Sequence, residues 1–165
     1  MRQRIAIAIA LACRPKLLIA DEPTTALDVT VQAGILHLLD RLRQENDLAV
    51  ILITHDLGVM SALADRVSIF YAGRVVESGT RASVLQHPRH PYTRALLDAL
   101  PHPELAQDEP LVAIPGSPPH PGAIPSGCAF HPRCPYAIES CRTDVPTLDD
   151  AGDRLLACPV DPFVR

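Results

Sequence analysis

From Val29 to Asn46 the apolar residues Val31, Ile35, Leu38, Leu39 and Leu42 recur at steps of three and four, which predicts a helix with one apolar face. Two runs, Leu17-Leu18-Ile19-Ala20 and Ala49 to Thr54, lack polar alternation and suit strands buried on both faces of a parallel sheet. A short helix is predicted over Leu57–Ala64. Strands over Arg66–Tyr71 and Arg74–Glu77 turn about Ala72-Gly73 as a hairpin. Residues 1–13 alternate Ile with Ala as a strand would, yet the alanines and the flanking Met-Arg-Gln-Arg favour a helix, ended by Pro15. Two further short helices fall over Ala82–Gln86 and Tyr92–Leu100, the second just after Pro91. Strands and helices in this order predict an α/β fold, a parallel sheet with flanking helices. In such sheets the ligand site lies outside the carboxyl ends of the strands. Asp21, Glu22 and His55 all lie there.

Proline divides the chain. Of 17 prolines in 165 residues, two (Pro15 and Pro23) fall in residues 1–87 and the other 15 in residues 88–165. The second part is predicted to be an irregular extension, too broken by proline for long helices or central strands. Pro115–Gly122 reads as a semi-rigid polyproline-like linker. The net charge of −4 gives no electrostatic case for wrapping nucleic acid. The longest apolar run free of charge, Ile5 to Cys13, is far short of the roughly 18–20 residues that span a bilayer. No basic segment with an apolar stretch and a small-residue cleavage site opens the chain, so no secretion signal is read.

An aspartate ending a buried strand can hold Mg²⁺ against nucleotide phosphates, and Asp21 is placed for that. Glu22 follows it and, pointing elsewhere, is free to polarise an attacking water as general base. His55, ending the neighbouring strand, can contact a γ-phosphate or that water. Each residue alone could be an ordinary solvated strand end; together, with Thr25-Ala26-Leu27-Asp28 just downstream, they are read as one site.

Five cysteines are present. Cys13 is expected as a small buried hydrophobe on the first helix. Cys128, Cys134, Cys141 and Cys158 crowd a segment with little apolar residue to build a core, where a metal would supply the missing stabilisation. Their spacing lacks the tight Cys-x-x-Cys pairs of structural zinc, and iron–sulfur clusters also take four cysteines. An iron–sulfur cluster, zinc, and free thiols or adventitious disulfides are the three readings the spacing leaves open. His131 is expected beside the ligands or exposed, not among them.

Leu17–Pro23 resembles the Walker B strand and catalytic glutamate of the nucleotide-binding subunits of ABC transporters. Ala26-Leu27-Asp28 resembles their D-loop, His55 their switch histidine, and Met1-Arg2-Gln3-Arg4 the tail of their signature sequence, whose Ser-Gly-Gly would stand before Met1. His90-Pro91-Tyr92-Thr93, Ile114-Pro115-Gly116-Ser117-Pro118-Pro119 and Gly127–Pro135 resemble the carboxyl-terminal extension of the oligopeptide/dipeptide/nickel branch of ABC importers. The resemblance implies a partial P-loop-NTPase-type sheet over residues 1–87 and the transporter-type extension with its four-cysteine site over residues 88–165. It implies ATP and Mg²⁺ as cofactors, Glu22 and His55 as catalytic groups, Asp21 and Asp28 at the nucleotide, and a [4Fe–4S] cluster on Cys128, Cys134, Cys141 and Cys158. It further implies a prokaryotic ATPase at the cytoplasmic face of the membrane, paired head to tail with a second ATPase subunit. Membrane permease subunits and, indirectly, a substrate-binding protein would be its other partners, with peptides or nickel as cargo.

The sequence departs from that family: the Q-loop that would face the membrane subunits and the Ser-Gly-Gly of the signature are absent from these residues, and so is the phosphate loop. The single lysine, Lys16, stands between Pro15 and Leu17, so no Gly-x-x-x-x-Gly-Lys-Ser/Thr phosphate loop exists in these residues. The chain alone is therefore expected neither to bind ATP tightly nor to hydrolyse it. A stand-alone regulatory or assembly module with a redox-sensitive cysteine segment, or a decayed gene product, is the second reading. A soluble ABC protein acting on DNA or ribosomes is the third, and the His-Pro-Tyr-Thr extension argues against it.

Overall fold

The computed structural model describes residues 2–25, 27–100 and 113–163, in two compact units, residues 1–64 and 65–165. The compositional boundary near residue 88 falls inside the second unit.

In the first unit, α1 (Arg2–Leu11), β1 (Leu17–Asp21), α2 (Val29–Asn46), β2 (Ala49–Ile53) and α3 (Leu57–Leu63) follow in turn. β1 and β2 pair in parallel, from Leu17 opposite Ala49 to Asp21 opposite Ile53. Parallel neighbours need a crossover, and α2 supplies it. The Asp28 carboxylate accepts from Val31 N–H at 2.8 Å and starts α2. Asp47 ends it in the left-handed region, φ 50°, its N–H returned to the Arg43 carbonyl. The periodic face of α2 buries Ile35 and Leu39 against Leu18 and Leu48, with Ile7 and Leu11 of α1 and Val50 packed around them. Each such side chain contributes about 1.5–3 kcal/mol when fully buried.

Both helices thus cover one face of the strand pair. The other presents Leu17, Ile19, Ile51 and Ile53 to solvent, Ile19 being 61% exposed. This corrects the expectation of strands buried on both faces: alternation along β1 and β2 sends every second apolar side chain away from the helices of this unit. Cys13 is corrected as well. It lies in the turn after α1 and is exposed, because the helix stops at Leu11 and Arg14 adopts φ 48°.

In the second unit β3 (Arg66–Tyr71) and β4 (Arg74–Thr80) form an antiparallel hairpin. Its central residues Ala72 and Gly73 both have positive φ, 48° and 79°, as a two-residue hairpin turn demands. β3 alternates cleanly, burying Val67, Ile69 and Tyr71. A π-helical turn at Ala82–Gln86 and α4 (Pro91–Asp98) follow. Further on come a 3₁₀ turn at His131–Arg133, α5 (Ser140–Thr143), β5 (Asp149–Asp150) and β6 (Arg154–Leu156). The sheet order is β3-β4-β6-β5, so β6 lies between two strands. The expectation of no central strand fails here because residues 147–158 contain no proline, leaving every N–H available to a ladder.

Two clusters hold this unit. Rings of Tyr71, Tyr92 and Phe130 meet at 4.6–5.3 Å between centroids. Phe130 also packs on His90, which burial holds neutral with a pKa lowered to about 4; its Nδ1 accepts from Tyr92 N–H at 3.0 Å and caps α4. Behind β4, Glu77 is wholly buried. Its carboxylate accepts from Arg154 Nη1 at 2.8 Å and from the N–H groups of Arg89 (2.9 Å) and His90 (3.1 Å).

Candidate functional site

Parallel pairing sets the carboxyl ends of β1 and β2 side by side, with Glu22 directly after β1 and His55 two residues after β2. Glu22 N–H donates to the Ile53 carbonyl at 2.9 Å, joining the two strand ends. Glu22 then adopts φ 46°, a left-handed conformation uncommon outside glycine, which turns the chain out of the strand. Its carboxylate is held on both oxygens. His55 Nδ1 lies 2.8 Å from Oε1, and Thr25 Oγ1 donates to Oε2 at 2.8 Å.

Hydrogen bonding from His55, then from Thr25, holds the Glu22 carboxyl below its ordinary value. The same contact with Glu22 raises His55 above the ordinary imidazole value. Both are therefore charged between the lowered carboxyl and raised imidazole values. On the basic side the attraction is complete below the ordinary histidine value and lost as pH rises through the raised one. On the acid side it is lost as pH falls through the lowered carboxyl value. His55 is 81% exposed, so solvent screens the pair.

The structure brings Glu22 and His55 together, with Asp21 exposed beside them as the last residue of β1. Asp28 is engaged at the start of α2. Met1 and Ala26 of the motif-bearing stretches lie outside the described residues. Three side chains here had no role read from the sequence. Thr25 grips Glu22, Thr54 Oγ1 accepts from Asp56 N–H at 3.0 Å, and Gln32 Nε2 donates to Asp56 Oδ2 at 2.9 Å. The only advance signal was Thr25 standing three residues after Glu22 in a turn sequence.

The second cluster is sulfur. Cys128, Cys134, Cys141 and Cys158 are all unpaired thiols. Burial raises the Cys128 and Cys158 thiols and pushes Cys134 up to about 11, and each also feels neighbouring cysteines of the set. Cys128 N–H donates to the Cys141 carbonyl at 2.9 Å. Gly127 makes that approach possible: with φ 67°, a Cβ there would stand 2.5 Å from the Cys141 carbonyl oxygen. Backbone N–H groups are aimed at the sulfurs, Asp161 N–H reaching Cys158 Sγ at 3.4 Å. His131 Nδ1 bonds the Cys128 carbonyl at 2.9 Å. A sheltered set of four thiols with N–H donors suits a thiophilic metal by chemistry. Among the described residues, however, no group of three or more His, Cys, Asp or Glu side chains is arranged to hold a metal ion. No described helix is long and apolar enough to cross a membrane.

Similarity to known proteins places the chain among homologues of ABC transporter ATP-binding subunits. A model of the oligopeptide/dipeptide transporter carboxyl-terminal region matches residues 76–141, and a model described as an AAA domain, putative AbiEii toxin, Type IV TA system, matches residues 2–61. The oligopeptide transport ATP-binding protein OppD of Haemophilus influenzae is 56% identical over 142 residues, covering 86% of this chain and 44% of that protein. OppD of Escherichia coli K12 is 52% identical, covering 96% and 47%. The dipeptide transport ATP-binding protein DppD of the same organism is 53% identical, covering 93% and 46%. The chain is a homologue of the ATP-binding subunits of peptide ABC importers, and it spans about half the length of these relatives. Among solved structures, cbiO1 from Clostridium perfringens, part of the ABC transporter complex cbiONQ, is 36% identical with a TM-score of 0.48, covering 50% of this chain and 33% of that one.

Proposed function

We propose that these residues form part of an ATPase subunit that drives import of di- and oligopeptides at the cytoplasmic face of a prokaryotic membrane. The 2.8 Å contact between Glu22 and His55 at adjacent strand ends carries this reading. Glu22, charged and held by two donors, acts as general base on water. His55 senses the γ-phosphate, and Asp28 couples the site to that of a second ATPase subunit. Mg²⁺, held through water by Asp21, would neutralise charge on the transferred phosphoryl group. Permease subunits would dock the ATPase pair, and a substrate-binding protein would deliver cargo. Without a phosphate-binding loop in its 165 residues, this chain alone is inactive. Deleting the gene is expected to abolish energy-dependent uptake of labelled di- and tripeptides, with recovery on complementation. Intact peptide uptake together with lost nickel uptake would transfer the assignment to nickel, while loss of neither would overturn the import role.

The four cysteines carry the finer part of the proposal, a [4Fe–4S] cluster. The influence of Cys158, Cys128 and Cys141 on the Cys134 thiol and the N–H donor at Cys158 support it, although the four thiols are not arranged as a ligand set. Protein made anaerobically with iron is expected to be brown and to bleach with dithionite. Colourless protein that retains zinc would instead assign the site to zinc.

A further inference from the structure

Glu22 and His55 meet although His55 is 81% exposed, so packing does not hold the imidazole in place. Its position must come from the backbone on either side, and that backbone is anchored. Asp56 N–H donates to Thr54 Oγ1 at 3.0 Å. The Asp56 carboxylate uses Oδ1 to accept from Gly58 and Val59 N–H (2.8 and 3.2 Å), starting α3. Its other oxygen, Oδ2, accepts from Gln32 Nε2 at 2.9 Å. With one oxygen bonded to α3 and the other to α2, Asp56 ties the backbone beside His55 to both helices.

Gln32 is itself tied to the loop after Glu22. It lies one turn into α2, and its N–H donates to the Asp28 carbonyl at 2.8 Å. Asp28 ends the 25–28 stretch whose Thr25 grips Glu22. The bonds close a ring: Glu22 to Thr25, along the chain to Asp28, through Gln32 to Asp56, back to His55 and across to Glu22. Gln32 supplies a side-chain link across 24 positions of sequence that joins α2 to the start of α3.

We propose that Gln32 is a positioning residue that closes this ring and keeps His55 on the Glu22 carboxylate. The proposal deepens the reading of Glu22 and His55 as the catalytic pair and rests on it. A displacement of the Asp28 loop is passed through α2 and Gln32 to Asp56, and from there to His55. The loop that couples to a partner site therefore also controls whether the histidine stays on its carboxylate.

His55 titration, followed by NMR of the labelled chain, reads the contact directly, because Glu22 and Asp56 are the charged groups that raise it. E22Q sets the midpoint without the carboxylate partner. Q32M, similar in length but no donor, is expected to move the midpoint from the wild-type value toward that of E22Q. Q32A, which also lacks the donor, is expected to move it in the same direction, with the amide signals of α2 away from residue 32 unchanged. A wild-type midpoint in Q32M overturns the proposal, and so does a shift accompanied by changed amide signals throughout α2, since that reports a disturbed helix. In the assembled ATPase, Q32M is expected to lower kcat about 10–100-fold with KM for ATP unchanged, as a small misplacement of a reacting group does. A shifted His55 with unchanged kcat would leave the ring standing and sink the catalytic reading of the pair.

Discussion

The substitution Glu22→Gln is expected to lower phosphate release by the assembled ATPase by about 10²–10⁴-fold, the contribution of a positioned general base. That factor corresponds to about 3–5 kcal/mol of transition-state stabilisation. The change is almost isosteric. The new amide's carbonyl oxygen can still accept from one of the two donors now on the carboxylate, Thr25 Oγ1 or His55 Nδ1, each at 2.8 Å. What disappears is the charge and the capacity to take a proton from water. ATP binding, which draws on other groups, should be retained, so kcat falls while KM changes little. Nucleotide retained without turnover is the expected signature. Hydrolysis within about threefold of wild type would remove Glu22 from the role of base, since removing a positioned base costs at least about 10²-fold. T25V provides a graded comparison. It frees one carboxylate oxygen but leaves the charge and His55 in place, so a smaller loss is expected than for E22Q.

How much of this was readable in advance follows from the range over which each feature is encoded. Helix α2 was legible to its ends, Val29 and Asn46, because its apolar period lies within the segment; the cap from Asp28, just before it, was not read in advance. Both parallel strands were legible for the same reason, and the pairing of Asp21 with Ile53 places Glu22 beside His55 as expected from strand ends. The open face of the strand pair was not, since a continuous apolar run says nothing about which neighbours are present. Gln32 reads as an ordinary polar helix position; only the approach of Asp56 gives it a role. Strands β5 and β6 are two and three residues long, too short to show a period; β6 exists because β4 offers it a partner, and β5 because β6 does. The cysteine segment shows the same limit. Spacing gathered the four residues into one site on paper, whereas the Cys128–Cys141 backbone bond depends on Gly127 having no side chain.

Glu77 is the case that sequence reading missed most completely, and it carries the largest expected effect on stability. It stands in a strand of mixed character, where a glutamate would ordinarily face solvent, yet it is 0% exposed. Its partner Arg154 lies 77 positions further on, with a side chain 3% exposed. Arg154 also bonds Asp153 and the His87 carbonyl, and the neighbouring Arg89 bonds Asp161 and the Ala151 carbonyl. Glu77 thus sits where the hairpin, the His90-Pro91-Tyr92 turn and β6 converge. Removing one partner of a buried ion pair costs about 3–5 kcal/mol, because the other charge stays buried without compensation. E77A also strips an acceptor from two buried N–H groups, those of Arg89 and His90, which favours the upper end of that range. Against a total domain stability of about 5–15 kcal/mol, this places the second unit near its unfolding threshold. For a unit of about 100 residues each kcal/mol moves the melting temperature by roughly 4–8 °C, so a fall of at least about 12 °C is expected in a thermal melt. R94A should move it by no more than a few degrees, because the Arg94–Asp98 pair is 51% and 44% exposed and solvent already screens it. The double variant E77M/R154M is expected to recover much of the loss, since an apolar pair of similar volume leaves no charge to desolvate. A double variant as unstable as E77A would show that the two backbone N–H groups, not the ion pair, make Glu77 indispensable.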